Sequence, residues 1–375
     1  MKLSCLQENL NKGLSIVGRA VATRTTLPIT QNILIATDDS RLKLVATNLE
    51  VAISCWIGAK VEDKGAITIP ARILTEFVSS LPSDNVELEL SKNTLQLKSG
   101  RFEARINGMD ANDFPPIPQV ADGLATKIEA EALRNGIAQV TFAAASEDSR
   151  PVLTGVHADF NDDKLTLAAA DGFRLAVHKT TILDKVAKQT AVIIPAKALN
   201  ELSRFLAEQE EPVEITVNQQ KTQALFKLKN IEMVSQLIQG SFPNYSQLVP
   251  QSYNTRSVID VTEFLRAVKM SSIFARDGSG IVRVIVTPGV EAAPGKISIS
   301  ARAEEIGDNV GDLDAMVDGE KAQIAFNARY LSDALNAMNQ KQVALETTTS
   351  SSPGVLKPVG VDNYVHVVMP MFVQW

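Results

Sequence analysis

The segment Ile69-Pro70-Ala71-Arg72-Ile73-Leu74 returns as Ile194-Pro195-Ala196-Lys197-Ala198-Leu199 and, in looser form, as Phe326-Asn327-Ala328-Arg329-Tyr330-Leu331. Arg72 and Lys197 stand 125 positions apart, Lys197 and Arg329 132. Two further markers keep the same order and nearly the same spacing. Asp113-Phe114-Pro115 recurs as Ser241-Phe242-Pro243, and Asn48-Leu49-Glu50-Val51-Ala52 as Gly172-Phe173-Arg174-Leu175-Ala176. Solenoid and propeller repeats have periods of roughly 20–50 residues, so the repeated unit here is a whole domain. The spacing predicts three units, 1–122, 123–254 and 255–375, each long enough to bury a core of its own. A triplicated domain points to a symmetric object.

Each unit reads as α+β, with helices packed on one face of an antiparallel sheet. An amphipathic helix opens it: Leu6, Leu10, Leu14, Val17 and Val21 in the first, Leu133, Ile137 and Val140 in the second, Phe264 and Val268 in the third. Short strands follow, hinged at turn-forming Asp38-Asp39-Ser40 and Asn161-Asp162-Asp163. A second helix begins at Ile-Pro-Ala, with Pro70 and Pro195 suited to its first turn. Alternating strands such as Val86-Glu87-Leu88-Glu89-Leu90 close the unit. The run Pro115-Pro116-Ile117-Pro118 reads as a stiff linker, and the Gly-, Asp- and Glu-rich stretch 303–318 as an exposed loop.

Composition bounds the rest. Apolar residues make up 45% and charged residues 21%, ordinary for a globular protein, and no apolar run approaches the roughly 20 residues of a membrane span. The first residues lack the apolar stretch of a secretion signal, and Cys5 and Cys55, both in apolar contexts, read as buried thiols. A cytoplasmic protein is expected. His157, His178 and His366 show no metal-ligand spacing, and no nucleophile elbow or phosphate-binding glycine loop occurs, so neither a metal, a cofactor nor catalysis is expected.

Net charge is −6, which argues against nucleic acid unless the 37 Lys and Arg gather on one surface. In register at the Ile-Pro-Ala helix the next residue is basic each time (Arg72, Lys197, Arg329) and the one four further on acidic (Glu76, Glu201, Asp333). An i,i+4 ion pair on a solvated face is one reading. The order opposes it, because a base in the first turn faces the helix dipole unfavourably. The other reading is a belt of bases joined by Lys12, Arg19, Arg134 and Arg266 from the opening helices. Such a belt, without repeated aromatics, suits phosphate contact independent of base sequence.

The chain resembles the bacterial sliding clamps, the β subunits of DNA polymerase III. The resemblance runs the whole length. It rests on Arg24-Thr25-Thr26-Leu27-Pro28-Ile29, Ala170-Asp171-Gly172-Phe173-Arg174-Leu175-Ala176, Phe242-Pro243-Asn244-Tyr245 and Val368-Met369-Pro370-Met371. It implies three clamp domains per chain and a head-to-tail homodimeric ring, with helices lining the hole and sheets outside. It implies double-stranded DNA, the polymerase III catalytic subunit, the clamp loader and other replication and repair proteins as partners, and no membrane. The implied peptide pocket, between the second and third domains, comprises Leu153, Ala170, Gly172, Phe173, Arg174, Leu175, Pro243, Leu248, Val367, Met369, Pro370 and Met371. The family often carries His at Phe173, Arg near Gln247 and an ending Met-Pro-Met-Arg-Leu, where this chain has Met369-Pro370-Met371-Phe372-Val373-Gln374-Trp375. Arg24 matches a DNA contact, with Glu147 where a neighbouring family Gln stands; Ile106, Ile273 and Phe274 match the ring interface, Ile106 as an exposed edge-strand residue. The alternative is a repeat-built protein scaffold that does not encircle DNA.

Overall fold

The structure is a computed structural model that describes residues 1–147, 149–276, 279–290 and 293–375. The chain forms two compact units. One comprises Met1–Glu131, Ile182–Val186 and Glu201–Leu237, the other Ala132–Thr181, Ala187–Asn200 and Ile238–Trp375. Six α-helices occur among the described residues: α1 (Gln7–Val17), α2 (Ala71–Ser80), α3 (Ala130–Val140), α4 (Ala196–Phe205), α5 (Val261–Arg276) and α6 (Ala328–Asn336). None is long and apolar enough to cross a membrane. Each repeat opens on a short strand before its first helix: Lys2–Leu6, Gly123–Ile128 and Thr255–Asp260.

The first unit holds two antiparallel sheets. One runs Lys60–Asp63, Lys2–Leu6, Asn85–Ser91, Thr94–Ser99, Phe102–Asn107. The other has eight strands, and within it Val51–Gly58 of the first repeat pairs with Ile231–Gln236 of the second, in the register Val51 to Ser235 and Cys55 to Ile231. On this sheet α1 buries Leu10, Leu14 and Val17 completely. The close approach depends on Gly13, where a Cβ would lie 2.8 Å from Leu44 Cδ1. The helix ends at Val17, so Arg19 belongs to a following 3-10 turn.

The second unit is built on one ten-stranded sheet, in which Arg174–Pro195 of the second repeat pairs with Tyr364–Val368 of the third, Arg174 opposite Val368 and His178 opposite Tyr364. Sheets thus cross the repeat boundaries in both units, and the three sequence repeats and the two compact units do not coincide.

The repeat is visible in backbone detail. Asn48 Oδ1 accepts from the N–H groups of Glu50 (3.0 Å) and Val51 (2.8 Å); Asp171 Oδ1 accepts from those of Phe173 (2.9 Å) and Arg174 (3.0 Å). The next residue is left-handed in both, Leu49 at φ 75° and Gly172 at φ 94°, so Asn48 is equivalent to Asp171 and the sequence register that set it against Gly172 is one residue off. After each repeat's last strand a residue bonds back to the strand before the second helix: Met109 N to Thr68 O, Ile238 N to Ile193 O, Met371 N to Ala325 O.

Three expectations from the sequence are corrected. The stretch 303–318 is mostly strand: Gly307–Gly319 pairs with Gly295–Ala303 along its length, from Gly307 opposite Ala303 to Ala315 opposite Gly295. Its carboxylates occupy solvent-facing positions of the pleat, with Asp308, Asp312 and Asp314 exposed, so their number does not prevent a strand. Asp312 also accepts from Ser298 Oγ and, at 3.3 Å, from Lys296 Nζ. The Pro115–Pro118 region is a strap and not a free linker, because Ile117 packs with Phe114 on Ile29 and Val45 and also against Ala52, Val120 and Val234. Pro70 is the N-cap of α2 and not its first-turn residue, as it is still paired in a strand with Asn32. In the third repeat the N-cap is Asn327, whose Oδ1 accepts from Arg329 N at 2.9 Å and Tyr330 N at 3.3 Å.

Candidate functional site

Twelve residues were expected to line a peptide pocket, and all belong to the second unit. Leu153, Gly172, Phe173 and Arg174 line a cavity of about 630 Å3 together with Arg150 and Tyr330. Ala170, Leu175 and Val367 are buried in the cluster beside it, on which Phe242, Tyr245 and Val249 pack. The ring of His157 stacks on Phe242 at 5.2 Å, and burial lowers its pKa despite the opposing charge of Asp159. Phe173 is 60% exposed and lies against Tyr330, centroids 6.5 Å apart. Pro243, Leu248 and Met369 are exposed, Pro370 and Met371 half-buried.

Arg174 is the fixed point beneath this surface. Its side chain is 7% exposed. Nε donates to Asp171 Oδ2 at 3.0 Å, Nη1 to Asp333 Oδ2 at 2.7 Å and Nη2 to the Phe142 carbonyl at 2.6 Å, while the guanidinium lies 4.4 Å from the Tyr330 ring centroid. Through these bonds it holds the Asp171 turn to α6 at one wall of the cavity. The C-terminal segment is tied at three points: Met369 N to Phe173 O (2.8 Å), Met371 N to Ala325 O (2.8 Å), and Gln374 O to Arg283 Nη2 (3.1 Å). Phe372 at its tip is 87% exposed.

The expected phosphate-contact bases divide into two sets. Arg24, Arg134 and Lys197 are exposed, with no ion-pair partner among the described residues. Arg24 sits on a loop that Thr25 fixes by accepting from Leu27 N (3.0 Å) and Thr30 Oγ1 (3.0 Å). Lys12, Arg19 and Arg72 are paired. Arg72 reaches Glu76 at 3.0 Å, the i,i+4 ion pair of a solvated face; Arg19 reaches Glu201 at 3.1 Å; Lys12 reaches Glu208.

The expected interface residues lie beside two unpaired sheet edges. Strand Phe102–Asn107 is at the rim of its sheet and has a partner on one side only. Ile106 is 6% exposed and points inward, because its register against Leu95 puts it on the core face; Phe102 on the same strand is 55% exposed. Residues 307–315 pair with Gly295–Ala303 on one side, while Thr255–Asp260 meets the long strand only from Met316 onward. The corresponding stretches of the other repeats, 51–55 and 174–178, are paired on their outer sides by 231–235 and 364–368. A helix flanks each open edge. α2, packed on strand Phe102–Asn107, exposes Ile73 at 54%; α5, packed on Gly307–Gly319, exposes Ile273 at 58% and Met270 at 52%, with Phe274 half-buried.

Family comparison matches this architecture repeat by repeat. Residues 1–118, 127–244 and 246–372 match the N-terminal, central and C-terminal domains of the DNA polymerase III beta subunit. The chain belongs to the DNA polymerase III β-subunit family. It is 34% identical over 378 residues to the beta sliding clamp of Synechococcus elongatus, and 31% over 382 residues to that of Bacillus subtilis, with 99% of each chain covered. The crystal structure of the Bacillus subtilis DNA polymerase sliding clamp superimposes with a TM-score of 0.94 at 30% identity, covering 100% of both chains. A sliding clamp of three α+β domains, tethering polymerase to DNA, is thus the function of this chain.

Among β-subunit positions that sequence reasoning missed, Asp171 and Asp333 matter most, since they hold Arg174. The signal was present. Asp171 begins the turn that repeats Asn48, and Asp333 is the acid of the third Ile-Pro-Ala-like helix, read only as a surface partner of Arg329, which it meets at 3.9 Å.

Proposed function

We propose that two copies of the chain close head to tail around duplex DNA, and that the groove at Phe173 and Tyr330 holds short peptides of the polymerase catalytic subunit, the clamp loader and other replication and repair proteins. The protein performs no chemistry of its own in this reading and works in the cytoplasm at the nucleoid. The supporting observation is the pair of open edges. Two of the three joins between consecutive repeats lie inside one chain; the third lacks a partner strand at 102–107 and at 307–315. A second copy supplies both, so two chains give two such joins and a closed cycle of six domains. Ile106 contributes there through its strand backbone, with Ile273 and Phe274 covering the join from α5. Topology then retains the DNA, and the phosphate contacts of Arg24, Lys197, Arg134 and their neighbours can be weak enough to slide.

The test is topological. Protein loaded by its clamp loader and ATP onto a nicked circular plasmid, and freed of excess by gel filtration, is expected to remain on the circle and to leave after one linearising cut. Equal retention on both forms would overturn encirclement; retention on neither, with a loader shown to be active, would favour the scaffold alternative. Replacing Ile273 and Phe274 together by alanine is expected to shift the mass at nanomolar concentration from two chains to one. A variant still dimeric there would remove both residues from the interface.

A further inference from the structure

The two sets of bases differ in one physical respect. Arg24, Arg134 and Lys197 have no ion-pair partner among the described residues, whereas Lys12 and Arg19 are met by carboxylates of the second repeat, both within the first unit. Lys12 Nζ donates to Glu208 Oε2, and Arg19 Nη1 lies 3.1 Å from Glu201 Oε2, which is also 3.6 Å from Arg204 Nε. Lys12, Arg19, Arg204 and Glu208 border one polar cleft of about 1050 Å3. The carboxylates do little for stability. Lys12 and Glu208 are 61% and 74% exposed, where ion pairs contribute little. Glu208 also lies in the 3-10 turn after α4, where a negative charge opposes the helix dipole. Their effect is on the bases: each cation already has an anion beside it, so a phosphate that reaches it competes with that carboxylate for the same charge.

We propose that Glu201 and Glu208 are built-in counter-charges that set the strength of phosphate contact at Lys12 and Arg19. This rests on the ring reading above. Trading a carboxylate for a phosphate changes the cation's energy little, so DNA moves across these positions without a deep minimum, while the unpaired bases hold it on average. The same pairing lowers the salt dependence of binding, because a base that keeps its carboxylate nearby neutralises less phosphate charge and releases fewer counterions.

The experiment is Glu201→Gln with Glu208→Gln in the full dimer, titrated onto a fluorescent short duplex by anisotropy at several salt concentrations. Expected is an affinity gain of about 3- to 10-fold at low salt, the scale of two exposed charge pairs. The log–log salt slope should steepen by up to about 2, since each freed base adds roughly 0.9. A control with the same change in net charge, Glu62→Gln with Glu214→Gln, removes acids paired with Lys2 and Lys127. It should leave both quantities near the parent's. An equal gain in that control would overturn the proposal in favour of net charge alone. No gain in the test variant, while Arg24→Ala with Arg134→Ala and Lys197→Ala abolishes binding, would overturn it and leave the ring reading intact. No effect of that triple variant would remove the DNA-contact reading on which the proposal stands.

Discussion

Replacing Arg174 by alanine is expected to destabilise the second unit by about 3 kcal/mol, the low end for breaking a buried charge pair, because Asp171 and Asp333 are half-buried and not fully enclosed. Three donated bonds and the ring contact with Tyr330 disappear together, and Asp171 and Asp333 face each other's neighbourhood without their shared cation. In a thermal scan the unfolding transition should fall by about 10 °C, taking roughly 2–4 °C per kcal/mol for a unit of this size. The series is more informative than the single variant. Arg174→Lys keeps the charge but loses the fork that serves two carboxylates and a carbonyl, and should fall between parent and alanine. Asp333→Asn should be mildest, since Arg174 retains Asp171 and the Phe142 carbonyl. If alanine and lysine are equally harmful, geometry and not charge is what Arg174 supplies. If Arg174→Ala unfolds with the parent, the buried network contributes nothing and the positioning role fails.

This hub shows why the site was less legible than the fold. The threefold repeat could be read because its markers are local: Ile-Pro-Ala at a strand-to-helix junction, Phe-Pro in the connector that follows, and apolar residues at helical spacing. Each works within a few residues. What was missed depends on partners far away in sequence. The opening strands Lys2–Leu6, Gly123–Ile128 and Thr255–Asp260 are five or six residues long and run directly into helices, so their alternation is too brief to register. The stretch 303–318 reads as a loop because Gly and Asp are turn formers, and the pairing of Gly307–Ala315 with Gly295–Ala303 overrides that preference. Arg174 and Asp333 are 159 positions apart, and the sequence offers Asp333 a nearer partner in Arg329. The bases show the same limit. Their recurrence was plain, but whether a carboxylate waits opposite, as Glu208 does for Lys12, is a property of packing.

Acid should destabilise the second unit through its histidines. His366 is completely buried, stacked on Phe142 at 5.5 Å, and burial with the nearby Arg174 charge pushes its pKa down to about 3. His178, 4% exposed, is pushed down by burial to about 4, and its Nδ1 lies 2.6 Å from Gln139 Oε1, whose amide donates in turn to the Ala337 carbonyl. Both are neutral when folded at neutral pH. In the unfolded chain they take up protons below an ordinary value of 6.5. Stability is therefore full above about pH 6.5 and is lost as pH falls toward the folded values, at about 1.4 kcal/mol per pH unit for each histidine. Between pH 6.5 and 4.5 the two together should remove about 4 kcal/mol. Denaturant titrations across that range are expected to show nearly two protons bound on unfolding from these two, with His157, whose pKa burial also lowers, adding to them. His366→Gln, similar in volume and without a titrating ring, should reduce the uptake by about one proton whatever its stability at pH 7, because the slope counts protons and not contacts. An unchanged slope in that variant would mean that His366 titrates alike in both states and that its burial carries no acid sensitivity.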